Sequence, residues 1–259
     1  MSDLYVEQAG EGSPVVLLHE GIGDSRMWEP QWAAYAGRFR VVRFDMRGFG
    51  QSPPAVGTFS LTGDLVELLD GLELGPAALI GMSLGGSVAM EATIARPDLV
   101  SRLVLVGPGL RGFEMTDETK AGWAEEEAAL ERGDDEEAVE INMRMWVDGP
   151  SRLPDQVDPE LRRKVGEMQR RAIDIWRDAG EEEGEHKPLV EDWGDRLAEI
   201  SVPTLILVGE LDRPEMHEIA DRLEAEIPNT RRETIVGTAH VPNMERPEEF
   251  DRLVLEFLE

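Results

Sequence analysis

The sequence predicts an α/β fold: a mostly parallel central sheet with helices on both faces and a helical insertion. Three observations predict it. Short runs rich in Val, Ile and Leu alternate with amphipathic segments, the pattern of buried parallel strands covered by helices. Roughly 90 residues without a clear strand separate two of those runs, too many for a simple loop. The chain has 259 residues, 41% of them hydrophobic, enough for one large core.

Taken in order, "LYVEQ" (4–8) reads as an antiparallel edge strand. "PVVLLH" (14–19), "RVVRFD" (40–45), "AALIGM" (77–82), "RLVLVG" (102–107), "PTLILVG" (203–209) and "RRETIV" (231–236) read as strands of the main sheet. Helical patterns follow most of them, at 25–36, 61–72, 84–97, 214–227 and 247–259. The repeating unit is strand, turn, helix. Within the strand-free stretch, Leu161, Val165, Met168, Ala172, Ile175 and Trp176 recur at spacings of three and four, one face of a helix. A Pro/Gly/Asp-rich joint at 148–160 separates it from the helices before. Residues 1–109 and 196–259 therefore form the expected core, and 110–195 an expected helical lid.

The formal net charge is −28, from 26 basic and 54 acidic residues. Half of it falls in the expected lid. Such a chain repels phosphate backbones, which argues against a nucleic-acid partner. Acidic runs at 124–140 and 180–186 read as solvated faces. The first ten residues lack a basic segment followed by an apolar one, and no apolar stretch reaches the roughly 20 residues that span a bilayer. The expectation is a soluble, cytoplasmic protein. With no cysteine, and with His19, His186, His217 and His240 nowhere paired at i, i+4, no metal site is expected.

Chemistry concentrates at "GMSLG" (81–85). Serine is a poor nucleophile unless it is exposed, close to a base and near donors that stabilise an oxyanion. A sharp strand-to-helix turn supplies all three, and its flanking glycines remove side chains that would collide. The Leu84 N–H then points from a helix N-terminus toward the developing charge. A Gly/Ser turn without chemistry is the plainer alternative; the strand before and helix after favour Ser83 as nucleophile.

At these residues the chain resembles the α/β-hydrolase family over nearly its whole length. "HEGIG" (19–23), "FDMRGFGQS" (44–52), "GMSLGG" (81–86), "VGELD" (208–212) and "GTAHVPNMERPEEF" (237–250) stand in the family's order, each after its own strand. Small lidded esterases and lactonases are most similar. The resemblance implies an acid after the strand that follows the lid and a histidine after the last strand, which are Asp212 and His240. Glu210 competes with Asp212 for the acid's role. The chain order Ser83, Asp212, His240 matches the family. The resemblance also implies a backbone oxyanion donor from the loop after the second strand, Gly21, paired with Leu84.

Two departures from the family stand out. Glu20 occupies the position where glycine commonly follows the histidine; it is expected to point away and pair with Arg26 or Arg47. The N-terminus is short by about one strand, an edge compatible with a homodimer. His19 reads as a structural hydrogen-bonder, His186 as part of the acidic lid tail, His217 as a helix residue. Asp45 and Arg47 read as turn braces. Trp28, Met143, Trp146 and Trp176 are candidates to line an acyl pocket, with plain core as the alternative.

The expected function is hydrolysis of a small, largely apolar ester or lactone through an acyl-enzyme, without cofactor. Carbon–carbon bond hydrolysis, cofactor-free perhydrolysis, and ligand reception with negligible turnover remain as alternatives.

Overall fold

A computed structural model describes residues 3–180 and 184–259. The acidic run 181–183, read above as solvated, lies outside the described residues.

The main sheet has seven strands: β1 (Val6–Ala9), β2 (Pro14–Leu18), β3 (Arg40–Phe44), β5 (Ala77–Met82), β6 (Val100–Val106), β8 (Thr204–Gly209) and β9 (Thr230–Ile235), in the spatial order β1-β3-β2-β5-β6-β8-β9. β1 pairs antiparallel with β3, and all other pairs are parallel. β5 and β8 are buried at every position, as continuous apolar runs covered on both faces must be. β2 lies between β3 and β5, so successive connections leave it in opposite directions along the sheet. The crevice at such a reversal, beyond the carboxyl ends of the strands, is where open parallel sheets bind ligands.

Helices α2 (Leu61–Gly71), α3 (Leu84–Ala95) and α7 (Pro214–Glu226) cover one face, burying Leu65, Leu69, Val88, Met90, Ile219 and Leu223 against it. Helices α1 (Glu29–Ala36) and α9 (Pro247–Leu258) cover the other through Tyr35, Phe250, Leu253 and Val254. Local signals start these helices. Ser60 Oγ accepts from Gly63 N–H at 3.1 Å to cap α2, and Pro247 opens α9 where its missing N–H costs nothing.

Between β6 and β8 the chain forms α4 (Asp117–Glu131), α5 (Asp135–Asn142), a π-helical turn (Met143–Asp148) and α6 (Pro159–Ala179). Met143, Val147, Leu161, Val165 and Met168 join the core cluster of α1 and α9. Ion pairs fix the segment: Arg162 bridges Asp148 (2.8 Å) and Glu140 (2.9 Å), and Arg152 reaches Glu245 of the short helix α8 (Pro242–Glu245) at 2.6 Å. A two-stranded parallel ribbon, β4 (Thr58–Phe59) with β7 (Glu185–His186), was not legible in the sequence. Two residues per strand carry no periodicity to read.

Two pocket expectations are corrected here. Trp28 is fully buried 6.1 Å from the Phe250 ring, because its turn faces the sheet rather than the crevice. Trp176 is 49% exposed and, with Ile173 and Ile175, lines a neighbouring cavity rather than the one that holds Ser83.

Candidate active site

Strand β5 ends in a backbone that only this sequence pattern permits. Ser83 has φ +49° and ψ −111°, a region costly for any residue with a side chain. A Cβ on Gly81 would lie 2.4 Å from Gly85 O, and one on Gly85 would lie 2.6 Å from Leu18 O. Strand and helix cross too closely there for anything but hydrogen. Ser83 N–H donates to Val106 O (2.9 Å), and its carbonyl accepts from Ser87 N–H (3.1 Å) and Gly109 N–H (3.2 Å). Although Ser83 stands at the N-cap of α3, its hydroxyl caps nothing and faces a cavity.

Asp212 and His240 come from loops after β8 and β9. Leu211 N–H donates to Thr238 O at 2.8 Å, tying the two loops together. His240 Nδ1 lies 2.9 Å from Asp212 Oδ2, with both side chains buried. A carboxylate only accepts, so the proton sits on Nδ1 and Nε2 is left for the cavity. Gly107 passes beneath the pair; a Cβ there would sit 3.1 Å from the imidazole. Burial pushes the His240 pKa down, but the charge and hydrogen bond of Asp212, joined by the charge of Glu20, outweigh it and hold the value above that of free imidazole. Glu210 instead accepts from Gly237 N–H at 2.9 Å on the surface.

Ser83, His240, Gly21 and Leu84 line one cavity of about 230 Å³. Leu84 opens α3, so its N–H has no intrahelical acceptor. A Cβ on Gly21 would stand 3.9 Å from the Leu84 side chain. Trp146, from the π-helical turn, lies over His240 with ring centroids 4.8 Å apart, and its carbonyl accepts from His240 N–H at 3.3 Å. Of the four pocket candidates, Trp146 alone lines this cavity. Met143 is buried where α5 meets α6, lining a different groove.

A second cavity of about 500 Å³ shares Ser83, Leu84, Trp123 and Trp146 with the first and extends past Val88, Leu110, Phe113, Met115 and Met216. The serine therefore stands between a small polar cavity and a larger apolar one. A third cavity, about 450 Å³ and also largely apolar, takes in Trp176 and adjoins the first at Gly21, Glu126 and Gln169.

The expectation for Glu20 is overturned. Its side chain is 1% exposed, lines the serine cavity, and lies with Oε2 3.9 Å from His240 Nε2. Arg26 pairs with Asp24 at 2.6 Å, and Arg47 pairs with Asp64 and Asp3 at 3.0 and 3.2 Å. Both arginines are thus already engaged. Burial pushes the Glu20 carboxyl up to about 7, with the charge of His240 lowering it and that of Asp212 raising it.

His19 bridges the loops as expected: Nδ1 lies 2.7 Å from Glu20 O, and Nε2 accepts from Met46 N–H at 2.9 Å. Asp45 accepts from Ser25 N–H and Gln51 N–H, a brace as read. Trp123, Glu126, Asn142 and Gln169 line the serine cavity and were not singled out in the sequence. The available signal was polar residues at apolar spacing: Gln169 falls four after Val165, and Asn142 four after Ala138.

Among the described residues no helix is long and apolar enough to cross a membrane. None of their His, Asp and Glu side chains gather in threes to hold a metal ion.

A serine on a strained strand-to-helix turn thus shares a cavity with a carboxylate-bound histidine beyond the carboxyl ends of a parallel sheet. The chain belongs to the α/β hydrolase fold family, whose profile it matches over residues 14–247. It is similar to the 2-hydroxy-6-oxononadienedioate/2-hydroxy-6-oxononatrienedioate hydrolase 2 of Pseudomonas putida, at 30% identity over 99% of this chain and 91% of that protein. The 3-oxoadipate enol-lactonase 1 of Acinetobacter baylyi is 26% identical over 96% and 90%. Among solved structures, a thermophilic esterase from Thermogutta terrifontis matches with a TM-score of 0.77 at 27% identity, covering 98% and 92%.

Proposed function

We propose that the chain is a serine hydrolase that opens a small carboxylic ester or lactone through an acyl-enzyme. Ser83 Oγ attacks the carbonyl carbon while His240 Nε2 takes its proton; the imidazolium then gives that proton to the departing alkoxide. Asp212 holds the ring by Nδ1 and stabilises its charged form. The N–H groups of Gly21 and Leu84 receive the oxyanion of the tetrahedral intermediate. Water repeats the sequence on the acyl-enzyme and releases the acid. Residues 110–195 act as a lid, with Trp146 as pocket wall, and the apolar cavity takes the hydrocarbon part of the substrate.

The observation that carries this reading is the 2.9 Å His240–Asp212 contact beside a serine whose backbone is strained and whose hydroxyl caps no helix. Relatives named as lactonase and esterase support ester chemistry. The test is peptide-level mass analysis after exposure to a small fluorophosphonate, followed by an ester and lactone panel. One adduct at Ser83, absent in Ser83→Ala, is the expected result. A folded protein with no adduct and no turnover would sink the proposal.

A further inference from the structure

The polar cavity beside Ser83 has an unusual balance of groups. Glu20 and Glu126 both line it, and its lining contains no lysine or arginine. Neither oxygen of Glu20 has a hydrogen-bond partner, and the buried Gln169 Oε1 has none. A carboxylate only accepts, so Glu126 Oε1 engages the amide nitrogens of Asn142 (2.6 Å) and Gln169 (3.5 Å). Asn142 Nδ2 also donates to Ala138 O. Toward the cavity stand the unpartnered acceptors and the indole rings of Trp123 and Trp146, with the Ser83 hydroxyl, one Gln169 amide N–H and the two backbone N–H groups assigned to the oxyanion as the donors. Arg213 stands behind Trp146, 5.9 Å from its ring, held by Glu215 and Thr119.

Buried acceptors without donors are costly, and a buried carboxylate without a counter-charge more so. A ligand that carries only donors, or a diffuse positive charge, relieves both costs and is attracted by indole faces. We propose that this cavity recognises a substituted-ammonium group on the substrate, held between Glu20 and Glu126 and against Trp123 and Trp146, while the apolar cavity takes the rest. The inference rests on the hydrolase reading for the bond that reacts. It also separates this chain from relatives whose names specify dioate or oxoadipate substrates, because two carboxylates in the cavity repel such anions. Glu20, faced by His240 and Asp212 from the catalytic loops and by Glu126 across the cavity, is ionised most fully above about 7, so preference for a cation increases with pH through that range.

The experiment compares kcat/KM for three matched esters: one ending in trimethylammonium, its tert-butyl isostere, and one ending in carboxylate. Each terminus is placed once in the alkoxy part and once in the acyl part. Preference for the cation over its isostere by about tenfold in one series is expected, with the carboxylate lowest and the ratio reduced in Glu126→Gln and in Glu20→Gln. Equal turnover of cation and isostere in both series overturns the proposal. So does a preference that persists undiminished in both variants, since it would belong to the overall charge of −28. Calorimetric titration with tetramethylammonium keeps this test separate from the hydrolase reading. If Ser83 takes no probe and no ester is cleaved, that reading fails; binding that weakens in Glu126→Gln still supports the cation site, and absence of binding overturns it.

Discussion

The crevice above the sheet and the helical segment that covers it are built on different terms. In the crevice, Ser83, Asp212 and His240 sit at strand ends, positioned by backbone bonds such as Ser83 N–H to Val106 O and Leu211 N–H to Thr238 O. The covering segment contributes Trp123, Glu126, Asn142, Trp146 and Gln169 from helices, held by ion pairs, core packing and one backbone bond to the His240 loop. Under the proposed mechanism the difference separates chemistry from choice of substrate: strand ends fix the reacting groups rigidly, whereas helices laid over them vary the cavity without moving Ser83.

That separation can be broken most severely at Ser83. Ser83→Ala should lower kcat/KM for any accepted ester by about 10⁴-fold or more while the thermal unfolding transition is kept. Asp212→Asn should cost about 10³- to 10⁴-fold by supporting the wrong imidazole tautomer. Glu210→Gln, measured beside it, should stay within about twofold of the parent, because Glu210 only caps the surface loop; the reverse ranking would reassign the acid.

A smaller effect is expected from the covering segment. Trp123→Ala opens the boundary between the polar and apolar cavities and should raise KM about tenfold with kcat nearly kept, the signature of lost uniform binding. A loss confined to kcat would mean that Trp123 takes part in the transition state, contrary to the division drawn here.

Glu20 crosses that division, since it stands on the β2 loop yet faces the covering helices. Its ionised form stabilises the His240 imidazolium, so Glu20→Gln should move the rising limb of the kcat/KM profile to lower pH. The two groups titrate as a pair, and the shift is read from the whole profile. Folding stability carries the same signature. The folded carboxyl binds its proton more tightly than the unfolded one, so stability falls as pH rises from 4.5 to about 7, by about 3 kcal/mol in a wild-type versus Glu20→Gln comparison. A pH-independent difference would show that Glu20 keeps an ordinary carboxyl in the folded protein. The smallest effect is expected at Trp176→Ala: the half-exposed ring should contribute within about 0.5 kcal/mol to unfolding free energy in denaturant titration.

Asp212 and His240 came from the resemblance to the α/β-hydrolase family; taken by itself, the sequence determined the strand-turn-helix series and the sharp turn at Ser83. These depend on local rules. Buried strands need apolar runs, and a close strand-helix crossing needs Gly81 and Gly85. Only the tertiary structure decided which way side chains point where several elements meet. Glu20 looked like a partner for Arg26 or Arg47, but Arg26 pairs with Asp24 in its own turn and Arg47 pairs with Asp64 and Asp3 across the fold. Trp28 and Trp176 looked like walls of the serine cavity as plausibly as Trp146; packing put Trp28 in the core and left Trp176 half-exposed on the adjoining cavity. Glu126, hidden in an acidic run, became a cavity wall because α4 and α6 meet over the serine. Periodicity marks the face a helix buries; which neighbour that face meets is set by contacts between residues far apart in sequence, and local patterns carry no record of them.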